Sequence, residues 1–177
     1  RIDAIALFSS FECFWFLCAT MEINDWFDRY HDARKNPPKD FVINHERSYL
    51  KYSIGCWGFE ICLISLLTMI DYRLGLLALF RATVGFFYSW TRKIPYFAAG
   101  TVAVTSALCS VTPAMVGRPN HIMWVFLAAT IMVIFARENY KDIEDFAADF
   151  QSDYKKTIAA VKGPNVARLV ARLSLIF

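Results

Sequence analysis

The chain has 177 residues, of which 56% are hydrophobic and 16% aromatic, and its mean hydropathy is +0.35. Because a soluble domain is typically about 45–50% apolar, the excess indicates a membrane protein. The net charge of +3 is too small to indicate a nucleic-acid partner. The five cysteines lie in apolar runs without CxxC or CxxH spacing, so we expect buried free thiols rather than zinc ligands or disulfides.

Five segments of the sequence are apolar and long enough to cross a membrane, which takes about 20 mostly apolar residues. These segments are residues 4–23, 52–70, 73–90, 95–116 and 121–137. After a break at Gly163-Pro164, a sixth apolar stretch begins at Ala167. The sequence therefore predicts an all-α fold, a multi-pass transmembrane bundle of about five to six helices.

Two acidic runs directly follow the first and the fifth apolar segments, and each has aspartates at positions i, i+3 and i+7. The six residues are Asp25, Asp28, Asp32, Asp142, Asp145 and Asp149. On a helix this spacing places side chains on one face, so each run presents three carboxylates side by side. Oxygen ligands of this kind suit Mg²⁺, which often binds one or two carboxylates together with substrate phosphates. A solvated acidic helix end explains one such run, but two runs of equal spacing favour a metal site.

The predicted crossings place both acidic runs on the same side of the membrane. Segments one, three and five exit on that side, which also receives most of the basic residues in the loops. The opposite side receives only Arg73 and Arg118. Basic loops mark the cytoplasmic side. We therefore expect an integral membrane protein whose two acidic motifs lie on the cytoplasmic side and face each other across one cavity.

Three charged residues lie near the middle of the predicted segments: Glu12, Glu60 and Arg81. Intramembrane charges normally face the interior of the bundle and pair with one another. Glu60 and Arg81 lie at similar depth on consecutive antiparallel segments. We therefore predict an ion pair between Glu60 and Arg81, with a structural rather than a catalytic role.

An acidic, Mg²⁺-binding rim on an aromatic-rich membrane cavity suits a lipid chain that carries a diphosphate. Metal ions neutralise the diphosphate and stabilise it as a leaving group. The faces of aromatic rings stabilise a developing allylic cation, and burial in the membrane keeps water away from it. The sequence therefore predicts a lipid chain that carries a diphosphate as the substrate class.

Two motifs resemble those of the UbiA superfamily of intramembrane prenyltransferases. Residues 24–32 read NDWFDRYHD, which resembles its NDxxDxxxD motif, and residues 137–149 read RENYKDIEDFAAD, which resembles its second motif in the archaeal form. Tyr88-Ser89 with Lys93, and Lys156-Thr157, resemble shorter segments of the family. The resemblance implies a nine-helix family fold. We expect residues 1–177 to be one prenyltransferase-like domain that is incomplete at both ends.

The resemblance also implies roles for individual residues. One Mg²⁺ and the diphosphate would bind to Asn24, Asp25, Asp28 and Asp32, and a second Mg²⁺ to Asp142, Asp145 and Asp149. Phosphate contacts are implied for Lys93, Arg137 and Lys141. The family carries arginines shortly after its first motif, and these are missing here. Lys39 lies in the corresponding stretch and would replace them only as a point charge. Tyr88 would lie beside the allylic carbon and act in catalysis with Asp25, Asp28, Asp142 and Asp145.

The implied activity is Mg²⁺-dependent transfer of a prenyl group to an aromatic ring carbon or a lipid hydroxyl. Within the same superfamily, a terpene cyclase or a phosphoribosyl transferase remains an alternative. A truncated protein that binds Mg²⁺ or lipid diphosphate without turnover is the contrasting class. A channel or transporter is disfavoured, because only Glu12, Glu60 and Arg81 could line its path. The acceptor, the prenyl chain length and the oligomeric state stay open.

Overall fold

The computed structural model describes residues 4–33, 40–91, 94, 97–116, 120–150 and 156–176. Over these residues the chain is helical and contains no strand, which confirms the all-α prediction. The helices are α1 (Ala4–Asp32), α2 (Phe41–Asn44), α3 (Glu46–Ile70), α4 (Tyr72–Thr91), α5 (Phe97–Val111), α6 (His121–Glu144), α7 (Phe146–Phe150), α8 (Ile158–Lys162) and α9 (Pro164–Ser174). A 3₁₀ turn over Thr112–Val116 continues α5.

Four of the helical segments in the described part of the chain are long and apolar enough to cross a membrane: α1, α3, α5 with its 3₁₀ turn, and α6. They correspond to the first, second, fourth and fifth segments predicted from the sequence. The third predicted segment forms α4, which carries two arginines and is not among these four. The chain is thus a multi-pass integral membrane protein, and the crossing by α4 stays a prediction.

Large apolar side chains cover much of the outer surface of the helices. Phe14, Met69 and Val125 are all exposed, Met69 to 84%. Exposed apolar surface on this scale marks contact with a membrane or a partner rather than with water. The outward-facing side chains therefore fit the lipid environment that the hydropathy predicted.

One buried apolar cluster lies where α1, α3, α4 and α5 pack together. Its buried residues are Cys13, Phe16, Ile64, Leu67, Leu74, Ala78, Ala82 and Cys109. Trp15 on α1 donates its indole N–H to the carbonyl of Cys56 on α3 at 3.0 Å. All five cysteines are free, as predicted. Three of them are buried, but Cys18 is half-buried and Cys62 is exposed, so the predicted burial is wrong for these two.

Two glycines allow the helices to approach closely. A Cβ atom at Gly85 of α4 would lie 2.8 Å from the ring of Phe16 on α1. A Cβ atom at Gly75 would lie 2.5 Å from the Cα atom of Thr68, across the one-residue connection between α3 and α4. Both glycines are therefore required by packing, and Gly85 brings α4 against α1.

The close approach of α1 and α4 determines how the buried charges pair. Arg81 forms an ion pair with Glu12, using one guanidinium nitrogen for both carboxylate oxygens. Its other terminal nitrogen donates to the hydroxyl of Thr112 at 3.1 Å. The predicted Glu60–Arg81 ion pair is wrong: equal depth in the membrane does not determine which helix face a side chain occupies.

Candidate active site

The first acidic run lies in the last turns of α1, which extends beyond the apolar segment to Asp32. Asp28 and Asp32 are buried, with Asp28 only 4% exposed, and Asp25 is half-buried. One turn before Asp28, the amide of Asn24 donates to its Oδ2 at 3.3 Å. The Oδ1 atom of Asn24 is buried and has no hydrogen-bond partner among the residues that the structure describes. This end of α1 therefore places oxygen ligands on one buried face.

Arg29 connects the first run to the start of α3. Its guanidinium lies 2.7 Å from the carboxylate of Glu46 and donates to the carbonyl of Trp26 at 2.6 Å. The same group lies over the rings of Trp26 and Tyr30, at 4.1 and 4.4 Å from their centroids. These contacts fix the end of α1 against α3. The sequence does not predict this ion pair of Arg29, because its partner Glu46 lies beyond the loop that follows α1.

The second acidic run crosses the junction of α6 and α7. Asp142 lies in the last turn of α6, Asp145 caps that helix, and Asp149 lies in α7. The N–H groups of Asp145 and Asp149 each donate to the carbonyl four residues earlier, both at 3.0 Å. The i to i−4 hydrogen bonds of an α-helix thus continue at these two residues across the junction. Asp142 and Asp149 are buried, Asp149 to 1% exposure, and Asp145 is half-buried.

One contact brings the two runs together. The Nε2 atom of His31 in the first run lies 3.2 Å from Oδ1 of Asp149 in the second run, and both side chains are nearly inaccessible to solvent. The sequence does not predict this contact of His31. Its position inside the first motif indicates that it lies near the first run, but spacing along one helix does not reveal contacts with a distant segment.

Tyr88 on α4 also approaches the second run. Its hydroxyl lies within electrostatic range of Glu138, Asp142 and Asp149. The side chain is half-buried. The structure therefore places this predicted catalytic residue in the neighbourhood of the second run.

The predicted cationic residues fall into two groups. Arg137 and Lys141 are exposed and face Glu138, with nitrogen-to-oxygen distances of 3.2 and 4.0 Å. Lys39 and Lys93 lie outside the described residues. Next to the second run, a shallow recess is lined by Ala98, Ala99, Asp142, Lys156, Thr157 and Ile158, so the Lys156-Thr157 segment lies beside the acidic site.

The donor set of the two runs fits Mg²⁺. It consists of carboxylate oxygens and the buried amide oxygen of Asn24, and hard cations prefer oxygen ligands. Within the described ranges, no three His, Cys, Asp or Glu side chains are grouped closely enough to hold a metal ion by themselves. Mg²⁺ is seldom enclosed by protein ligands alone and usually shares its coordination with substrate phosphates and water. The arrangement therefore suits a cation that arrives with a diphosphate.

Comparison with known proteins gives one result that covers almost the whole chain. The model of the UbiA prenyltransferase family matches residues 3–177. No curated protein and no solved structure matches the chain. The matched range includes both acidic runs, Tyr88 and the helices that carry them. The chain therefore belongs to the UbiA prenyltransferase family.

Proposed function

We propose that this protein transfers a prenyl group from an allylic prenyl diphosphate to an acceptor within the membrane, and that it requires Mg²⁺. The acceptor is an aromatic ring carbon or a lipid hydroxyl. The observation that carries the proposal is the 3.2 Å contact between His31 and Asp149. It joins two aspartate runs, distant in sequence, where apolar helices end.

In this proposal the two runs hold the diphosphate from opposite sides. The ligands on one side are Asn24, Asp25, Asp28 and Asp32, and those on the other are Asp142, Asp145 and Asp149. Mg²⁺, when bound, neutralises the diphosphate and makes it a better leaving group. Four of these carboxylates are buried, those of Asp28, Asp32, Asp142 and Asp149. Their burial supports strong cation binding, because charges attract more strongly where water is excluded.

The basic residues add positive charge around the diphosphate. Arg137 and Lys141 have long, exposed side chains beside the second run, and in this proposal they turn from Glu138 to the phosphate oxygens. Lys93 and Lys39 are proposed to contact the diphosphate as well. An arginine presents two parallel N–H groups to a phosphate, whereas a lysine acts as a point charge.

The reaction breaks the bond between the allylic carbon and the diphosphate oxygen, and the electron pair leaves with inorganic diphosphate. A new bond then forms between the allylic carbon and the acceptor, which loses a proton. Tyr88 is proposed to lie beside the allylic carbon, where its ring face stabilises positive charge. The surrounding apolar helices exclude water from the reactive centre.

We further propose that residues 1–177 act as one catalytic domain with both acidic runs on the cytoplasmic side. The prenyl chain would lie among the apolar helices, with its diphosphate at the aspartates. This orientation follows from the distribution of basic loop residues and from the position of both runs at the ends of apolar helices.

The activity is tested by incubating the detergent-purified protein with geranylgeranyl diphosphate and either Mg²⁺ or EDTA. We expect release of inorganic diphosphate with Mg²⁺ only, and a prenylated product when an aromatic or lipid-hydroxyl acceptor is added. Hydrocarbon formed without any acceptor would identify a cyclase. Mg²⁺-dependent binding of the substrate without diphosphate release would contradict the transferase proposal and identify a binding protein.

A further inference from the structure

Glu60 is a buried carboxyl group in the middle of α3 that meets the carboxyl group of Glu12 on α1. Its side chain has no exposed surface. Neither of its carboxylate oxygens accepts a hydrogen bond from an N–H or O–H donor among the residues that the structure describes. Buried polar groups in proteins are nearly always hydrogen-bonded, so a charged carboxyl group here requires an explanation.

The surroundings of Glu60 contain one positive charge and a second carboxyl group. Glu12 and Cys13 face it from α1, Arg81 from α4 and Cys109 from α5. Arg81 is the cation of this group, and it already forms an ion pair with Glu12 and a hydrogen bond with Thr112. If both glutamates were ionised, the buried group would carry an uncompensated negative charge.

An uncompensated charge inside a membrane bundle is costly. The effective penalty for removing an ion from water into a protein interior is several kcal/mol. A buried acid that has no cation of its own avoids this penalty by keeping its proton. The pairing of Arg81 with Glu12 therefore determines which glutamate stays ionised and which becomes neutral.

We propose that Glu60 binds a proton, so that this cluster is an intramembrane proton-binding site with Glu12 ionised and Glu60 neutral. The site is separate from the aspartate runs. Glu12 and Asp28 lie on the same helix about 24 Å apart, at about 1.5 Å per residue. The proposal does not depend on the transferase activity, since this separation along α1 places the cluster away from the first aspartate run.

The test is infrared spectroscopy of the full chain in lipid vesicles at neutral pH, comparing the wild type with Glu60→Gln. Glu46→Gln is the matched control, because Glu46 lies on the same helix and is ion-paired with Arg29. We expect the wild type minus Glu60→Gln difference to contain the C=O band of a protonated carboxyl group, shifted to lower frequency in D₂O. The Glu46→Gln difference should contain carboxylate bands instead.

Loss of carboxylate bands in Glu60→Gln would overturn the proposal, since it would show that Glu60 is ionised, whether balanced by a metal cation or by Arg81. A second readout is thermal melting in detergent. An amide replaces a neutral carboxyl group without a change in charge, so Glu60→Gln should melt within a few degrees of the wild type. A large loss of melting temperature in Glu60→Gln, together with the carboxylate bands, would identify Glu60 as a charged partner in the cluster.

Discussion

At the scale of single residues, His31 connects the two acidic runs, although it belongs to neither set of aspartates. Its Nε2 atom lies 3.2 Å from Asp149 Oδ1. We expect this contact to hold the carboxylate of Asp149 in place, as groups that orient metal-binding carboxylates do in other proteins. We therefore expect His31 to be a positioning residue rather than a catalytic one.

Replacing His31 with Ala should weaken Mg²⁺ binding without removing a ligand. Loss of an orienting group typically costs 10- to 100-fold in metal affinity or activity, so we expect the Mg²⁺ concentration for half-maximal diphosphate release to rise about tenfold or more. Binding of Mn²⁺, measured directly by titration, should weaken in parallel. His121→Ala, which changes an exposed histidine at the start of α6, is the control. An unchanged Mg²⁺ dependence in His31→Ala would contradict the positioning role.

For single residues, the sequence predicted positions along a helix but not contacts between helices. The aspartate spacing identified the two runs, because positions along one helix follow from its periodicity. The partner of Arg81 could not be predicted, since rotation of each helix about its own axis depends on packing. The small residue Gly85 brings α4 against Phe16 of α1, and this approach places Glu12 rather than Glu60 beside Arg81.

At the scale of helices, apolar length predicted where the main elements lie but not where they end. α1 and α6 both continue beyond their apolar segments into the acidic runs, because hydropathy detects the membrane and not the helix. Five of the six aspartates therefore lie within helices, and Asp145 lies at the junction of α6 and α7. Such placement keeps metal-binding groups in precise positions.

The space around Gly85 and around Gly100 predicts opposite effects when each is replaced by alanine. Gly85→Ala would place a Cβ atom 2.8 Å from the Phe16 ring, and overpacking of this kind costs about 1–3 kcal/mol. Gly100 in α5 has open space around its Cβ position. Gly100→Ala should therefore raise stability by about 0.5–1 kcal/mol, as expected for a helix interior.

Thermal melting in detergent would measure both changes on otherwise identical proteins. We expect Gly85→Ala to melt below the wild type and Gly100→Ala to melt at or above it. If Gly85→Ala melted like the wild type, the close approach of α4 to α1 would be incorrect, and with it the explanation for the Glu12–Arg81 pair.

At the scale of the whole molecule, the apolar exterior and the position of the charges predict an orientation in the membrane. Asp40 follows the first acidic run, and His121 begins α6 at the opposite end of the predicted crossings. In a background without native cysteines, we expect Asp40→Cys to react with a membrane-impermeant maleimide from the cytoplasmic side. His121→Cys should react from the other side, and labelling of both residues from one side would contradict the predicted crossings, including that of α4.

We propose above all that the two aspartate runs form a single diphosphate site. The most direct measurement is Mg²⁺-dependent diphosphate release from geranylgeranyl diphosphate by Asp28→Asn, Asp145→Asn and the control Asp40→Asn, which changes an exposed aspartate outside both runs. We predict that each of the first two substitutions lowers the rate at least 100-fold, while the control keeps the wild-type rate. Undiminished release in Asp28→Asn or in Asp145→Asn would contradict the claim, because one run would then suffice.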